Sequence, residues 1–405
     1  MLLLLLAGAR GGQAQSVLTP PPLLSVAPIA QQQFEASEMG VVQPASPVAG
    51  FSLGTLPFQW GPVDLHPHML YRALYGDGLL SSPGQPQRTF IQEVSPGILF
   101  NLGTHWSLDY TPTLRFYSNN QFRDGLDHSV SLNGWGAYED WVLGFSQGCG
   151  ISSTPRIETG TQTDQESYST ALSASYRFNS KMSLDLGIGQ SFVLADQFAS
   201  SRDWSTMDWL NYQFWPRLDA GLGAGFEFTD VDTGSDMTSE KLQARISWRV
   251  TDKTSLLLHG GLEDRQFLSG GVGDLLNPIF GASIQYQPLD GTTFSLSADR
   301  TVTASYFTNQ VSETTSVSAG LNQRLLKKLN LSLGAGYSTA TYVSSKHGQL
   351  PLGGYDSYSF NARLSVPILK HGTLSATYQF SDNSSAVHGL SFTSSQVGLE
   401  IQYGY

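Results

Sequence analysis

The stretch "YSTALSASYRFNSKMSLDLGIGQSFVL", Tyr168 to Leu194, reads as two strands around a tight turn. In its first half Tyr168, Leu172, Ala174, Tyr176 and Phe178 share one parity, while Ser169, Ser173, Ser175 and Arg177 share the other. After "NSK", Met182, Leu184, Leu186, Ile188, Phe192 and Leu194 stand against Ser183, Asp185, Gly187, Gly189 and Ser191. A period of two places one set on each face of a strand. The apolar set is uniform. Its partner set would make a very poor protein core, so the polar face belongs against water.

The pattern recurs outward in both directions, in "RLDAGLGAGFEF", "KLQARISWRV", "LNLSLGAGYS", "YSFNARLSV" and "GTLSATYQF". No segment keeps a helical apolar stripe for three turns, so the body is all-β. The strands run to about 10–13 residues, enough for a tilted strand to cross a bilayer. Tight turns at "NLGTHW", "AYED", "FNSKM", "WPR", "VTDKT", "QPLDGT", "LLKKL" and "PILKHG" alternate with longer polar loops, among them "SNNQFRDGLD", "STPRIETGTQTDQE", "DVDTGSDMTSE" and "VSSKHGQLPLGGYD". Short turns on one rim and long loops on the other are the habit of a transmembrane barrel. The tight turns mark eight hairpins from about Thr89 onward, one C-terminal strand follows, and "GPVDLHPHMLYRALYGDG" supplies a less regular strand at the start. The expected fold is a closed antiparallel transmembrane β-barrel of about 18 strands (16–18), with short periplasmic turns and longer extracellular loops.

Composition agrees. Of 405 residues only 14% are charged, aromatics reach 11%, and there are 42 glycines. No stretch of the body approaches the roughly 18 apolar residues of a transmembrane helix. A net charge of -11 argues against a nucleic-acid binder. The single cysteine, Cys149, rules out an internal disulfide.

"MLLLLLAGARGGQAQ", residues 1–15, has the short apolar core and small-residue cleavage pattern of a secretory signal, without its basic front. Residues 16–60, rich in Pro, Gln, Ser and Ala, read as a flexible periplasmic leader. The barrel is expected over 61–405. Trp106, Trp141, Trp204, Trp209, Trp215 and Trp248, with Tyr117, Tyr176, Tyr212, Tyr286 and Tyr337, fall near strand ends and suit two aromatic girdles. Pro96 and Pro112 lie inside early strands, where a missing N–H weakens the ladder and a bulge is expected to absorb it.

The chain finishes on "SSQVGLEIQYGY". If the sheet closes, this last alternating segment is a full strand that pairs with the first. "QVGLEIQY" is similar to the C-terminal signal that the outer-membrane assembly machinery reads in its barrels, carried here by Gln396, Gly398, Ile401 and Tyr403 with Tyr405 appended. From about Trp60 onward the chain resembles the second group of beta-barrel porins of Gram-negative outer membranes. The segments that carry the likeness are "VDLHPHMLYRALYGDG", "FIQEVSPGILFNLGTHWSLDYTPTLRFY" and "YSTALSASYRFNSKMSLDLGIG". The resemblance implies an outer-membrane location in a Gram-negative bacterium, an association with envelope or exopolysaccharide export, and no catalytic residues.

Candidate chemistry is sparse. "GFSQG" at Gly144–Gly148 fits G-x-S-x-G, but "CGISSTPRIETG" after it cannot make the helix that exposes a nucleophilic serine, so Ser146 is expected to line the lumen. "DVDTGSD" places Asp230, Asp232 and Asp236 around Gly234 as a weak Ca²⁺ candidate lacking the full loop spacing and the closing Glu. His66 and His68 lack a third ligand. No cofactor is expected.

The inward parity collects Arg177, Asp185, Asp219, Glu227, Lys241, Arg245, Arg249, His259, Asp299, Arg324 and Arg363. A basic side chain at the lipid-facing midplane costs about 2–4 kcal/mol, so this segregation fits a water-filled lumen. Asp208, on the outward parity, departs from it. The expected function is a porin-like passive channel or export-associated barrel, not an enzyme. Its partners would be membrane lipid and lipopolysaccharide, the barrel-assembly machinery, and small hydrophilic solutes or polysaccharide. The alternative is a closed-lumen structural or adhesive barrel that binds surface partners through its loops.

Overall fold

The computed structural model describes residues 59–80, 86–153, 162–196, 198–269, 273–305, 307, 309–326, 328–344, 353–368, 370–386 and 391–404. The signal, nearly all of the leader, and Tyr405 lie outside the described residues. The strands are β1 (Gln59–Trp60), β2 (Val63–Leu80), β3 (Pro86–Leu102), β4 (Trp106–Tyr117), β5 (Gly125–Tyr138), β6 (Trp141–Ser152), β7 (Gln165–Arg177), β8 (Met182–Ala195), β9 (Ser201–Trp215) and β10 (Leu218–Val231). They continue as β11 (Met237–Thr251), β12 (Thr254–Phe267), β13 (Leu275–Leu289), β14 (Thr292–Ala304), β15 (Gln310–Leu325), β16 (Leu329–Ser344), β17 (Gly354–Pro367), β18 (Gly372–Ser385) and β19 (Phe392–Gly404).

Each strand from β2 to β19 pairs antiparallel with the next, and β19 pairs back to β2 from Gln396↔Gly76 to Gly404↔His68. The wall is therefore a closed barrel of 18 strands, with β1 a two-residue ribbon on β2. Closure removes the free edge, which hydrocarbon would not tolerate. At this seam a Cβ on Gly76 would stand 2.0 Å from the Ser395 carbonyl oxygen, so only glycine lets β19 come this close.

Exposure follows parity. Outward rows carry large exposed apolar groups such as Leu222, Leu242, Leu262, Ile188, Val397 and Leu399. Inward rows carry Ser, Gly, Asn and the charges of the three belts described below. On the outer face Trp106, Trp141, Tyr176, Tyr212, Trp248 and Tyr286 lie toward the short-turn rim, and Phe116, Trp204, Tyr337 and Tyr358 toward the loop rim. Two girdle candidates are corrected. Trp209 and Tyr117 belong to the inward parity of β9 and β4, and Trp209 is only 1% exposed.

The prolines are accommodated without a bulge. Val94↔Leu114 and Ile98↔Tyr110 keep one register across β3 and β4, which sets Pro96 opposite Pro112. The two missing donors fall in one gap, and the Ser95 and Thr113 hydroxyls bridge beside it at 2.8 Å on the lumen side.

Outward charges pair toward the loop rim, as Arg202 with Asp230 and Arg300 with Glu313, whereas Asp208 lies deeper, midway between Trp204 and Tyr212 on β9. The β8–β9 ladder pairs Asp185↔Trp209 and Ile188↔Thr206 with no pair between, and the Gly187 N–H donates instead to the Asp208 carboxylate at 3.3 Å. Replacing Asp208 by Asn, which keeps an acceptor for the Gly187 N–H, is expected to stabilise the barrel by about 1 kcal/mol, since a lipid-facing charge is removed. The check is the temperature at which the folded, fast-migrating gel band converts to the unfolded one; an unchanged or lower temperature contradicts the assignment of this row to lipid.

Candidate functional site: the charged lumen

Period-2 alternation aims every second residue of each strand inward, so cross-strand neighbours can form horizontal belts of charge. Three belts are present. The first runs across the closing seam. Glu400, 2% exposed, takes Arg363 Nη2 at 2.7 Å and Arg72 Nε at 2.8 Å. Arg72 reaches Glu93 at 2.9 Å, Arg115 binds Glu93 and Asp127 at 2.7 Å each, and Asp127 accepts the Ser153 backbone N–H at 3.0 Å. Five charged side chains in alternating sign thus link β17, β19, β2, β3 and β4, and Asp127 carries the belt on to β5.

The second belt centres on Arg245. Its Nη2 lies 2.6 Å from Asp185, its Nε donates to Asn211 Oδ1 at 3.0 Å, and its guanidinium lies 4.4 Å from the Trp209 ring centroid. Asp185 also accepts from Ser175 and Asn211, at 2.7 Å each. Glycines on β10 make room: a Cβ on Gly223 would stand 2.6 Å from the Trp209 ring. A cation stacked on an indole and bonded to a carboxylate is held rigidly.

The third belt lies nearer the loop rim. Lys241 binds Glu227 at 2.7 Å and approaches Glu263 at 4.0 Å. Arg265, 1% exposed, holds Glu263 at 2.5 Å, approaches Glu227 at 3.8 Å, and donates from Nη2 to the Val302 carbonyl at 3.0 Å. The Thr229 hydroxyl donates to Asp203 at 2.6 Å.

Among the residues expected to line the lumen, the structure brings together Asp185 with Arg245, Glu227 with Lys241, and His259 with Asp299 at 4.0 Å. Arg363 pairs with Glu400. Arg177, Arg249 and Arg324 lie toward the short-turn rim and are exposed, and Asp219 is half-buried beside them on β10. His259 lies over Gly281, with Asp299 as its nearest carboxylate partner at 4.0 Å. Ser146 is mid-strand in β6, opposite Asn133 and Ala171, with no helix after it among the described residues.

The Ca²⁺ candidate does not assemble. Asp230 is outward and paired with Arg202 at 2.9 Å, while Asp236 accepts the Val231 N–H at 3.0 Å. Among the described residues no three His, Cys, Asp or Glu side chains form a group that could hold a metal. His66 and His68 are both inward, and His68 Nε2 lies 3.1 Å from Asp109. Sequence reasoning missed Arg72, Glu93, Arg115, Asp127, Arg265 and Glu400. Their parity was the available signal, blurred in β2 and β3 by inward Leu70, Leu74, Ile91 and Leu99.

In β19, Ile401 and Tyr403 face outward while Gln396 and Gly398 face the lumen. Along the short-turn half, inward Ser247, Arg249, Gln285, Ser295, Ser318, Asn322 and Arg324 are solvent-exposed. Toward the loop rim, apolar side chains among the described residues pack inside the wall. Phe122 tucks in from the 118–124 loop against Leu74, Ile91 and Tyr117, and the tops of β14–β16 curl inward.

Residues 241–405, from Lys241 in β11 through β19, match the family described as "Putative beta-barrel porin 2". No curated protein matches the chain. Among solved structures, OccAB4 of Acinetobacter baumannii is 12% identical, with 86% of this chain and 100% of that one covered and a TM-score of 0.47. OccK11 (OpdR) of Pseudomonas aeruginosa is 14% identical, with 84% and 96% covered and a TM-score of 0.43. The siderophore receptor PirA of Pseudomonas aeruginosa is 9% identical, with 84% and 80% covered and a TM-score of 0.42. The family match, the closed wall and its exposed apolar band make this an outer-membrane, porin-like β-barrel.

Proposed function

We propose that the barrel is a passive channel for small hydrophilic solutes in the outer membrane of a Gram-negative bacterium. The observation that carries this reading is the row of inward yet solvent-exposed side chains along the short-turn half, from Ser247 and Arg249 to Asn322 and Arg324. Residues that point into a barrel and still meet water mark an aqueous vestibule. This half would open to the periplasm, where short turns belong. The narrower loop-rim half would set the size limit and the field that a solute crosses. That narrowing disfavours a wide polymer, so export of polysaccharide is the weaker form of the proposal. Lipopolysaccharide would surround the outer rim, and the assembly machinery would engage β19.

The test is conductance in planar bilayers. Discrete current steps are expected. Reversing Arg249 and Arg324 to Glu is expected to shift permeability toward cations, and Asp299→Lys toward anions. The second reading, a closed structural or adhesive barrel, draws on the paired belts and the apolar packing inside the loop-rim half. Absence of current from the folded, heat-modifiable protein would favour it.

A further inference from the structure

The wall is not joined edge to edge all the way up. β13 and β14 pair only as far as Phe280↔Arg300, although β13 runs on to Leu275 and β14 to Ala304. Above that pair β14 stays with β15 to Ala304↔Val311, and β15 stays with β16 to Gln310↔Ser344. The three tops leave β13 as one flap and pass inside it. Val302 and Val311, on the flap's outward parity, are buried in one cluster with Met237, and Val343, Phe267 and Leu275 pack against it. On the flap's other side Phe307 rests against Ala340, Tyr342 and Tyr355. The tip reaches the β10–β11 loop, where a Cβ on Gly234 would lie 3.5 Å from the Asn309 nitrogen. This is a lapped joint in the upper wall.

Several residues mark the joint as a place built to part. Pro278 stands on β13 just past the last pair, and it has no N–H to give a ladder. Arg265 supplies a substitute donor to the Val302 carbonyl at 3.0 Å, a group no longer beside β13. Asn277 is 5% exposed and its Nδ2 has no hydrogen-bond partner. Continuing the register from Phe280↔Arg300 would set Asn277 opposite Thr303, Pro278 opposite Val302 and Leu276 opposite Ala304. In that arrangement Asn277 gains polar neighbours, and Val302 and Val311 continue the apolar outer rows. The apolar patch of Val302, Ala304 and Val311, set beside the paired Arg300 and Glu313 on the flap's outer face, therefore suits either environment, protein interior or membrane.

We infer that the β13–β14 seam is a two-position switch: lapped, it narrows the extracellular half of the lumen, and abutted, with 275–279 paired to 301–305, it widens it. The consequence for flow rests on the channel reading above; the movement itself does not. Moving three strand tops outward removes the apolar cluster from the interior and lengthens the wall's perimeter, which in a barrel enlarges the bore. Two packings of one element with similar burial are the usual basis of such a switch.

The test uses the full chain in lipid vesicles and bilayers, with Cys149→Ser as background. Gly234→Cys with Asn309→Cys should lock the lapped position, and Leu276→Cys with Ala304→Cys the abutted one. Both pairs are expected to cross-link under oxidant, read as a gel shift reversed by reductant. The 276/304 pair should close more slowly, and faster when Pro278→Thr restores a ladder donor. The oxidised 276/304 form is expected to carry the larger current and the oxidised 234/309 form the smaller. Failure of 276/304 to cross-link in heat-modifiable, folded protein overturns the movement, and so does insensitivity of its rate to Pro278→Thr. Equal currents from both locked forms overturn the switch. If neither form conducts, the channel reading falls while the cross-linking yield still decides whether the seam moves.

Discussion

Glu400→Ala is expected to destabilise the barrel by about 3–5 kcal/mol, because removing one partner of a buried ion pair leaves the other uncompensated. The loss is lopsided. Arg72 would keep Glu93 at 2.9 Å, whereas Arg363 would keep only the Ser365 and Ser375 hydroxyls, at 3.2 and 3.1 Å. Replacing both groups, Arg363→Met with Glu400→Leu, is expected to recover most of the stability, since apolar groups of similar volume often replace a buried pair at little loss. The measurement is the heat-modifiable gel transition, run on both variants beside the unaltered protein. A Glu400→Ala barrel that converts at the original temperature would show that the belt across β17, β19 and β2 contributes nothing to closure.

Arg265→Ala should have an effect of the same size, about 3–5 kcal/mol by the same argument, with a second consequence. Glu263, Glu227 and Asp203 would share one remaining cation, Lys241, and the Val302 carbonyl would lose its donor. The tops of β14 and β15 should then be held less firmly inside the wall. Protease cleavage near 305–309 is expected to accelerate in Arg265→Ala and to stay slow in Glu400→Ala, which lies in a separate belt. Arg265→Met combined with Glu263→Gln should restore stability in part but not the protection at 305–309, because the bond to Val302 is still missing. Equal cleavage in all variants would separate Arg265 from the flap.

The barrel was legible because its signal is repeated: the parity of "YSTALSASYRF" recurs through the body, and each tight turn counts one hairpin. The eight hairpins, one closing strand and one opening strand correspond to β2–β19. What alternation cannot tell is what a face meets. Residue type alone sets Trp209 with the girdles, yet its parity in β9 puts it inward, where Gly223 leaves its ring space. The flap was invisible for a related reason. Val302, Val311 and Val343 keep the outward parity of membrane-facing residues, so their burial against Met237 depends on a fold of the wall rather than on local pattern. The one local hint was Pro278 inside a strand, followed across the hairpin by Arg300 and Glu313 on an apolar parity. Ion-pair partners were likewise undetermined. Parity selects the row, and register, which needs the folded sheet, selects the neighbour.

The pairing of β19 with β2 brings together segments more than three hundred positions apart, and Arg72 with Glu400 is its chemical expression. The ring can therefore not close until both of these segments are in place. Until the two meet, the strands between them keep an open edge that only the seal removes.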